Sequence, residues 1–501
     1  MAIRDFSLMD MIERNACVFP TREAIVHESF RMTFSEYRNA CRRLWCGLRS
    51  NGARPGDRVA LVARNSLDYM TLCGAAALGG LVVIPVNWRL NPEELHALLR
   101  DASPSFLVTS SELQAGVEQA EQGLASVKSR YVLGPNARGD YLPVAELHRC
   151  GERTGSADAD APYVIIYTAA VEGRAKGAVL SQANLMALIV SLGSFFKLDV
   201  EDAHCCFLPL FHIAGLSLSM AVMQAGGKNV IQEKFDADQT LDLIERESAS
   251  ILYSFPPMLD QLVDRQRKKE RNLASLKYIG GLNPPDSMER FQKVAPQVRF
   301  AVMFGQTEAM AVTAGWADQA PGSSGRAAPL ARVRIVDEAD QDAAVGEVGE
   351  ICVKSPCVFQ GYLGFEDETA WALRNGWHHT GDMGRLDKRG YLWYAGRMPA
   401  KELIKTGGEN VYPAEVEKAL LEHPSVVEAC VIGVSDDRWG EAVKAVCVFE
   451  DGDAPSEDDL IAFVGTRLAG YKKPRQIVCV DSLPKTTEGM IDRTAVKKFH
   501  A

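Results

Sequence analysis

The chain lacks any C-x-x-C pair despite its twelve cysteines, and no two of its glycines are spaced i, i+2. The paired spacing of zinc sites is therefore missing, and so is the G-x-G-x-x-G turn of dinucleotide-binding proteins. There is no G-x-x-x-x-G-K-[ST] phosphate loop, no G-x-S-x-G elbow and no H-E-x-x-H. Dehydrogenase, ordinary P-loop NTPase, serine hydrolase and zinc protease readings lose support accordingly. No apolar run reaches the roughly 20 residues of a membrane span. The most apolar stretch, Cys73 to Val86, is short and glycine-interrupted, and predicts a buried helix followed by a strand. An excess of positive charge is also missing. Lys and Arg number 55 against 65 Asp and Glu, a net charge of −10. A phosphate-backbone binder needs a positive surface, so nucleic acid is not expected as a partner. Met1 to Ala16 carries Arg4, Asp5, Asp10, Glu13 and Arg14, which argues against a secretory signal.

What is present is the composition of a soluble globular protein, 47% hydrophobic and 24% charged. At 501 residues the chain exceeds a single core and predicts two to four domains or subdomains. Unpaired cysteines predict reduced thiols in a cytoplasmic protein. A homodimer is compatible with the sequence.

Helical and strand-like patterns alternate throughout, which indicates α/β layers. Asn91-Pro92-Glu93-Glu94 opens a helix: a capping Asn, Pro at the first position, then acids at the positive end of the dipole. Tyr163 to Tyr167 predicts a buried strand, and residues 181–196 a mostly apolar helix. Composition shifts near residue 396. Before it, Gly376, Gly381, Gly384, Gly390 and Gly396 mark turns between short strands. After it, Pro413-Ala414-Glu415 opens a helix and Val426 to Val434 predicts a strand. The expected division is a large domain over 1–396, a hinge over 397–402 and a small α+β domain over 403–501.

Four segments can carry chemistry. The loop from Tyr167 through Thr168, Gly173 and Lys176 to Gly177 follows a strand and precedes a helix, so it can aim amides and a lysine at phosphate. Alone it reads equally as a surface turn. Phe304-Gly305-Gln306-Thr307-Glu308 follows an apolar run, at what reads as a strand-to-loop junction. Its glycine admits a ligand to the backbone, its hydroxyl suits a phosphate oxygen, and its carboxylate suits Mg²⁺. His379-Thr380-Gly381-Asp382 offers a carboxylate in a tight turn that can take both hydroxyls of a ribose, or form an Asx-turn. His212, within Pro209-Leu210-Phe211-His212-Ile213-Ala214-Gly215, is by default a packing histidine and otherwise the gate of an apolar pocket.

In this order and spacing the segments resemble the adenylate-forming superfamily of acyl-CoA synthetases, adenylation domains and luciferases, with acyl-CoA synthetases nearest. The resemblance runs from Thr33-Phe34-Ser35-Glu36 through Gly56-Asp57-Arg58-Val59-Ala60 and Pro85-Val86-Asn87-Trp88-Arg89-Leu90 to Arg493. It is close at Gly346-Glu347-Val348-Gly349-Glu350 and at Gly407-Gly408-Glu409-Asn410-Val411-Tyr412-Pro413-Ala414-Glu415-Val416-Glu417. It implies an α/β fold: a large N-terminal domain of layered α/β subdomains with a small β-rich subdomain, and a mobile α+β C-terminal domain.

It also implies ATP, coenzyme A and a carboxylic acid, fatty or otherwise apolar, as substrates joined through acyl-AMP, with Mg²⁺ as the metal. Gly280, Gly281 and Leu282 would border the adenine, with Phe304 stacked on it beside Gly305 and Gln306. Thr307 would contact the α-phosphate and Glu308 hold Mg²⁺. Asp382, aided by Arg397, would bind the ribose. His212 would border the acyl pocket. Read from the residues themselves, Phe211, Leu216, Met220, Met223 and Phe255 suggest an apolar pocket and read equally as ordinary core. Rotation of the small domain about Glu402 would bring Gly407 to Asn410 to the site for thiol attack.

The chain departs from that family at two places. Where the phosphate loop usually reads Ser-Gly-Thr-Thr it has Ala169-Ala170-Val171-Glu172, and Met490 stands where a lysine normally serves adenylation. Lys405 and Lys485 are the candidate substitutes. Two other functions follow: an acyl-adenylate or nucleotide-binding homologue with impaired adenylation, or an enzyme serving a separate carrier protein.

Overall fold

The computed structural model describes the whole chain except residues 1–5, 135, 149–150, 153–154, 156, 169–174, 398–402, 437, 451–454, 486–490 and 501. Two large sheets share one core. A nine-stranded sheet runs in the order Arg326–Ala327, Ala309–Trp316, Arg299–Gln306, Tyr278–Gly281, Ile251–Ser254, Ala203–Cys206, Lys228–Ile231, Glu23–His27, Phe30–Thr33. Its central strands, from Lys228–Ile231 to Arg299–Gln306, are parallel. The second sheet has eight strands and centres on Pro162–Thr168, Val82–Pro85, Arg58–Val62 and Phe106–Ser110.

Helices between the sheets are apolar on nearly every side, which is what double burial requires. In Leu67–Gly79 every residue from Tyr69 onward is buried. Predicted and observed elements agree closely: Leu67–Gly79 then Val82–Pro85, Pro162–Thr168, and Gln182–Phe196. The caps follow the sequence too. Asn91 accepts from the Glu94 amide while Glu94 accepts from the Asn91 amide, with Pro92 at the first position. Thr33 and Glu36 form the same reciprocal box.

A four-stranded antiparallel sheet, Arg332–Val336, Gly349–Lys354, His378–Leu386 and Leu392–Arg397, forms the small β-rich part. The last sheet is built entirely after residue 404, from Glu409–Val411, Ile404–Thr406, Gly440–Phe449, Val426–Asp436 and Gln476–Cys479. It has its own hydrophobic clusters, one around Val416, Val431 and Val464, the other around Ile432, Val446 and Val496. Among the described residues no helix is long and apolar enough to cross a membrane.

One buried carboxylate ties the edge of the nine-stranded sheet to its helices. Glu247, ending helix Ala237–Glu247, accepts from Arg31, Lys228 and Arg246 at 2.7, 3.1 and 3.1 Å. Burial pushes its pKa up, but the three cations outweigh burial and bring it from 4.5 down to about 2. A lowered carboxylate stabilises the fold fully above about pH 4.5 and loses that contribution as pH falls toward 2. Glu247→Gln is therefore expected to lower stability at neutral pH and to flatten the acid limb over that window, as read from denaturation midpoints at successive pH values.

Candidate active site

The residues expected to hold the nucleotide come together on hydrogen-bonded strands. Phe304, Gly305 and Gln306 do not leave a strand for a loop, as the sequence predicts. Strand Arg299–Gln306 continues through them and turns back at Thr307-Glu308 into Ala309–Trp316, with Phe304 opposite Thr313 and Gln306 opposite Ala309. Likewise Asp382 does not sit in a free turn. It lies inside strand His378–Leu386, opposite Arg397.

The Asp382 carboxylate is 2% exposed and accepts three bonds. Gln306 donates to Oδ2 at 2.6 Å, and Arg397 Nε and the Tyr394 hydroxyl donate to Oδ1 at 2.8 and 3.2 Å. Gln306 also donates to the Thr380 carbonyl. Tyr394 lies 6.0 Å from the Phe304 ring, so Phe304, Gln306, Asp382, Tyr394 and Arg397 form one contact cluster. Gly280 and Gly281 end the neighbouring strand, Tyr278–Gly281. Gly281 has φ +105°, and a Cβ there would meet the Ser254 carbonyl at 2.1 Å. The glycine is thus required by strand packing, whatever ligand approaches. Leu282 is exposed just beyond it.

Glu308 is buried and accepts from the Tyr362 hydroxyl at 2.8 Å on Oε1. Burial and the adjacent Glu308 push the Tyr362 phenol far above its usual range, so it stays a donor. Oε2 of Glu308 has no hydrogen-bond partner among the described residues, and an open carboxylate oxygen suits a hard divalent cation.

Lys176 opens strand Lys176–Ser181, and Thr168 ends the strand beside it, donating its hydroxyl to the Lys176 carbonyl at 3.3 Å. The Lys176 ammonium pairs with Glu368 at 3.4 Å and lies over the Tyr362 and Phe365 rings. Gly173, like Glu172, Glu402 and Met490, lies outside the described residues.

The last sheet presents its Gly407–Asn410 turn to the large one. Gly408 faces Phe255, where a Cβ would lie 3.6 Å from the ring's own Cβ. Gly407 donates its amide to the Trp439 carbonyl at 2.9 Å. Between the two sits Glu409, accepting from Arg89 at 2.6 Å and Asn87 at 3.1 Å, with His212 Nε2 at 3.4 Å. Burial opposes ionisation of Glu409, but His212, Arg89 and Asn87 overcome it and hold its pKa below the ordinary value.

His212 is therefore no packing histidine. It occupies the N-cap position of helix Ile213–Ala225, without a side-chain cap hydrogen bond, and its ring faces Glu409 of the other sheet. Of the two readings of the apolar residues nearby, ordinary core holds for three. Leu216, Met220 and Met223 belong to the main core, because that helix is packed on all sides. Phe255 alone of the five faces Gly408. Arg438 and Arg475 lie over the Trp439 ring at 4.7 and 5.1 Å, and Arg89 over Trp88 at 4.4 Å, so each domain carries a cationic and aromatic pair near this contact.

The AMP-binding enzyme family matches residues 12–363, and the AMP-binding enzyme C-terminal domain matches residues 415–490. The chain belongs to the AMP-binding enzyme family. It is 34% identical over 506 residues to the indoleacetate–CoA ligase of Aromatoleum aromaticum, covering 99% of this chain and 98% of that one. It is 32% identical to the feruloyl-CoA synthase of an Amycolatopsis species, with 97% of each covered. The solved structure of the amide bond synthetase McbA from Marinactinospora thermotolerans matches with a TM-score of 0.88 at 26% identity over 99% of both chains. The α/β architecture, with its large N-terminal and smaller C-terminal domains, is that of this AMP-binding enzyme family.

Sequence reasoning missed several contacts within this AMP-binding enzyme. Tyr362 on Glu308 and Tyr394 on Asp382 went unnoticed, as did Glu409 between Arg89 and His212. The last was within reach, since Asn87-Trp88-Arg89 and Gly408-Glu409-Asn410 are both family-like stretches of complementary charge. Lys485 pairs with Glu428 at 2.5 Å within the C-terminal sheet. Lys405 lies in the field of Arg397 and Asp382. It is exposed on strand Ile404–Thr406, and crowding by its surroundings, followed by Arg397, lowers its pKa.

Proposed function

We propose that the protein ligates a carboxylic acid, fatty or otherwise apolar, to coenzyme A through acyl-AMP, with rotation of the small domain about a hinge at 397–402. The observation that carries this reading is a convergence. The Asp382 carboxylate and the Phe304–Glu308 hairpin are joined through Gln306, and the Gly407–Asn410 turn meets His212 and Arg89 of the large domain through Glu409.

A carboxylate is a poor electrophile because its leaving group would be oxide. Transfer to AMP supplies a good leaving group and splits one hard step into two easier ones. Asp382 and Arg397 hold the ribose, Phe304 and the Gly280–Leu282 edge border the adenine, and Thr307 meets the α-phosphate. Glu308 would hold Mg²⁺, which when bound offsets charge on the phosphate oxygens. The docked turn corresponds to the arrangement for thiol attack, and the guanidiniums around Trp439 and Trp88 give the coenzyme A phosphates counter-charges near this contact. The relatives named for indoleacetate and ferulate make aryl-substituted acids part of the substrate panel.

The test is AMP release on adding ATP, Mg²⁺ and each acid of an aromatic and fatty panel, with and without coenzyme A. Coenzyme A-dependent AMP with matching acyl-CoA is the expected result. AMP release unaffected by coenzyme A, with the acyl group passed to a carrier protein, would replace it.

A second reading draws on the lysines. Lys176 is engaged with Glu368 and Lys485 with Glu428, while Met490 replaces the expected cation. Adenylation is then slow and thioester formation intact. Pyrophosphate release as fast as thioester formation from supplied acyl-AMP would end that reading.

A further inference from the structure

Behind Asp382 lies a buried polar cluster that the proposed chemistry does not use. Strand Gly349–Lys354 pairs with His378–Leu386, and the register slips between Glu350 and Cys352. The slip falls beside Gly381, whose φ of +69° makes the backbone bulge. Glu350 reaches into the bulge. Its Oε1 accepts the Gly381 amide at 2.9 Å. Its Oε2 accepts from His379 Nδ1 at 2.9 Å and from Arg374 at 3.0 Å. The Thr380 hydroxyl completes the support, donating to the Ile351 carbonyl at 2.7 Å and accepting the Asp382 amide at 3.1 Å. The backbone carrying Asp382 thus hangs from the neighbouring strand through Glu350 and Thr380.

A metal centre is the rival use of this cluster, because Asp340, Cys352 and His379 place one donor atom each within 4.8 Å of one another. The charges argue against it. Arg334 pairs with Asp340 at 2.7 Å, and Arg374 pairs with Glu350 at 3.0 Å, so two guanidiniums already stand where a cation's charge would fall. His379 is also divided, with Nδ1 turned to Glu350 and Nε2 toward Asp340 at 3.7 Å. Burial pushes the Cys352 thiol up to about 12, which disfavours a thiolate ligand.

We propose that Glu350 is a positioning residue for nucleotide binding: by holding the Gly381 amide, with His379 and Arg374 fixing its other oxygen, it sets the backbone from which Asp382 reaches the ribose hydroxyls. This rests on the assignment of Asp382 to the ribose. Glu350 itself touches no substrate. Burial works to raise its pKa, and His379, the Gly381 amide and Arg374 together lower it, so the carboxylate stays charged and keeps accepting. A glutamine there would turn an NH₂ toward either the Gly381 amide or the His379 and Arg374 donors, and one set of bonds must be lost.

The experiment is calorimetric binding of AMP and of 2′,3′-dideoxy-AMP to the full chain, comparing wild type, Glu350→Gln, Glu350→Asp and Arg374→Gln. Wild type should prefer AMP. Glu350→Gln should weaken AMP about tenfold, or about 1.4 kcal/mol, and leave the dideoxy nucleotide unchanged. Glu350→Asp should recover part of the loss. A merely structural Glu350 would weaken both nucleotides alike or neither, and that result overturns the proposal. Should Glu350→Gln fail to fold, Arg374→Gln, which removes only the outer anchor, must show the same selective loss in smaller measure or the proposal falls. Equal binding of both nucleotides by wild type would remove the ribose assignment and the proposal with it.

Discussion

Replacing Asp382 with alanine is expected to remove AMP binding and to lower the melting temperature in the same variant. The carboxylate is buried and is the acceptor for Arg397, Gln306 and Tyr394. Deleting one partner of such a pair strands the other, at a cost of ~3 kcal/mol for buried pairs. The partial exposure of Arg397 places this case toward the lower end. Asp382→Asn separates the two effects. It keeps the shape and can still accept from Gln306, but it loses the charge that faces Arg397. Hydrogen bonds to charged groups are worth about 1.5–3 kcal/mol, so AMP should bind roughly 10- to 100-fold more weakly to a protein that still folds. Calorimetric titration and thermal melting of both variants read the two quantities. Unchanged AMP affinity in Asp382→Asn would remove this residue from the nucleotide site.

The second large effect concerns Lys472. Its ammonium is buried between Glu94 at 2.7 Å and Glu415 at 2.6 Å. Burial pulls its pKa down, and the two carboxylates more than reverse this. Glu94 belongs to helix Pro92–Ala102 of the large domain and also accepts the Ala469 amide at 3.0 Å. Glu415 belongs to helix Pro413–Leu421 of the small one. Lys472→Met would leave two carboxylates facing each other across the interface without a cation. Losing one partner of a buried pair costs about 3–5 kcal/mol, and here the docked arrangement bears that cost. Thioester formation from supplied acyl-AMP and coenzyme A should fall at least about tenfold. AMP binding should hold, because Asp382, Gln306 and Phe304 lie elsewhere. A double-mutant cycle with Glu94→Gln should return a coupling of about 1–3 kcal/mol. Additive effects would show that the pair does not hold the two domains together.

Much of this was legible along the chain because its signals are local. Asn91, Pro92 and Glu94 announce a helix start within four positions, and the apolar run at Tyr163–Tyr167 announces a strand. The site's ordered motifs were legible for the same reason. The interdomain contacts were not, beyond the complementary charge of the Asn87–Arg89 and Gly408–Asn410 stretches. Asn87 and Glu409 lie 322 positions apart, and Glu94 and Lys472 lie 378 apart. Charges paired at such distances leave no periodicity to read. The Phe304–Glu308 hairpin was misjudged because Gly305 interrupts the apolar run, whereas pairing with Ala309–Trp316 carries the strand on through Gln306. Met220 and Met223 were left between pocket and core because an apolar helix beside a candidate histidine does not reveal which of its sides is core.

The placement of the site on the fold has an evolutionary consequence. Phe304, Gln306, Asp382 and Arg397 stand on laddered strands whose geometry neighbouring strands enforce, so a change there disturbs several partners at once. His212, Phe255 and Gly408 stand where strands and helices end, and their surroundings can drift one residue at a time. With the nucleotide held by the first set and the acid bordered by the second, as proposed, descendants of such a chain can take up new acids while their hold on the nucleotide stays as inherited.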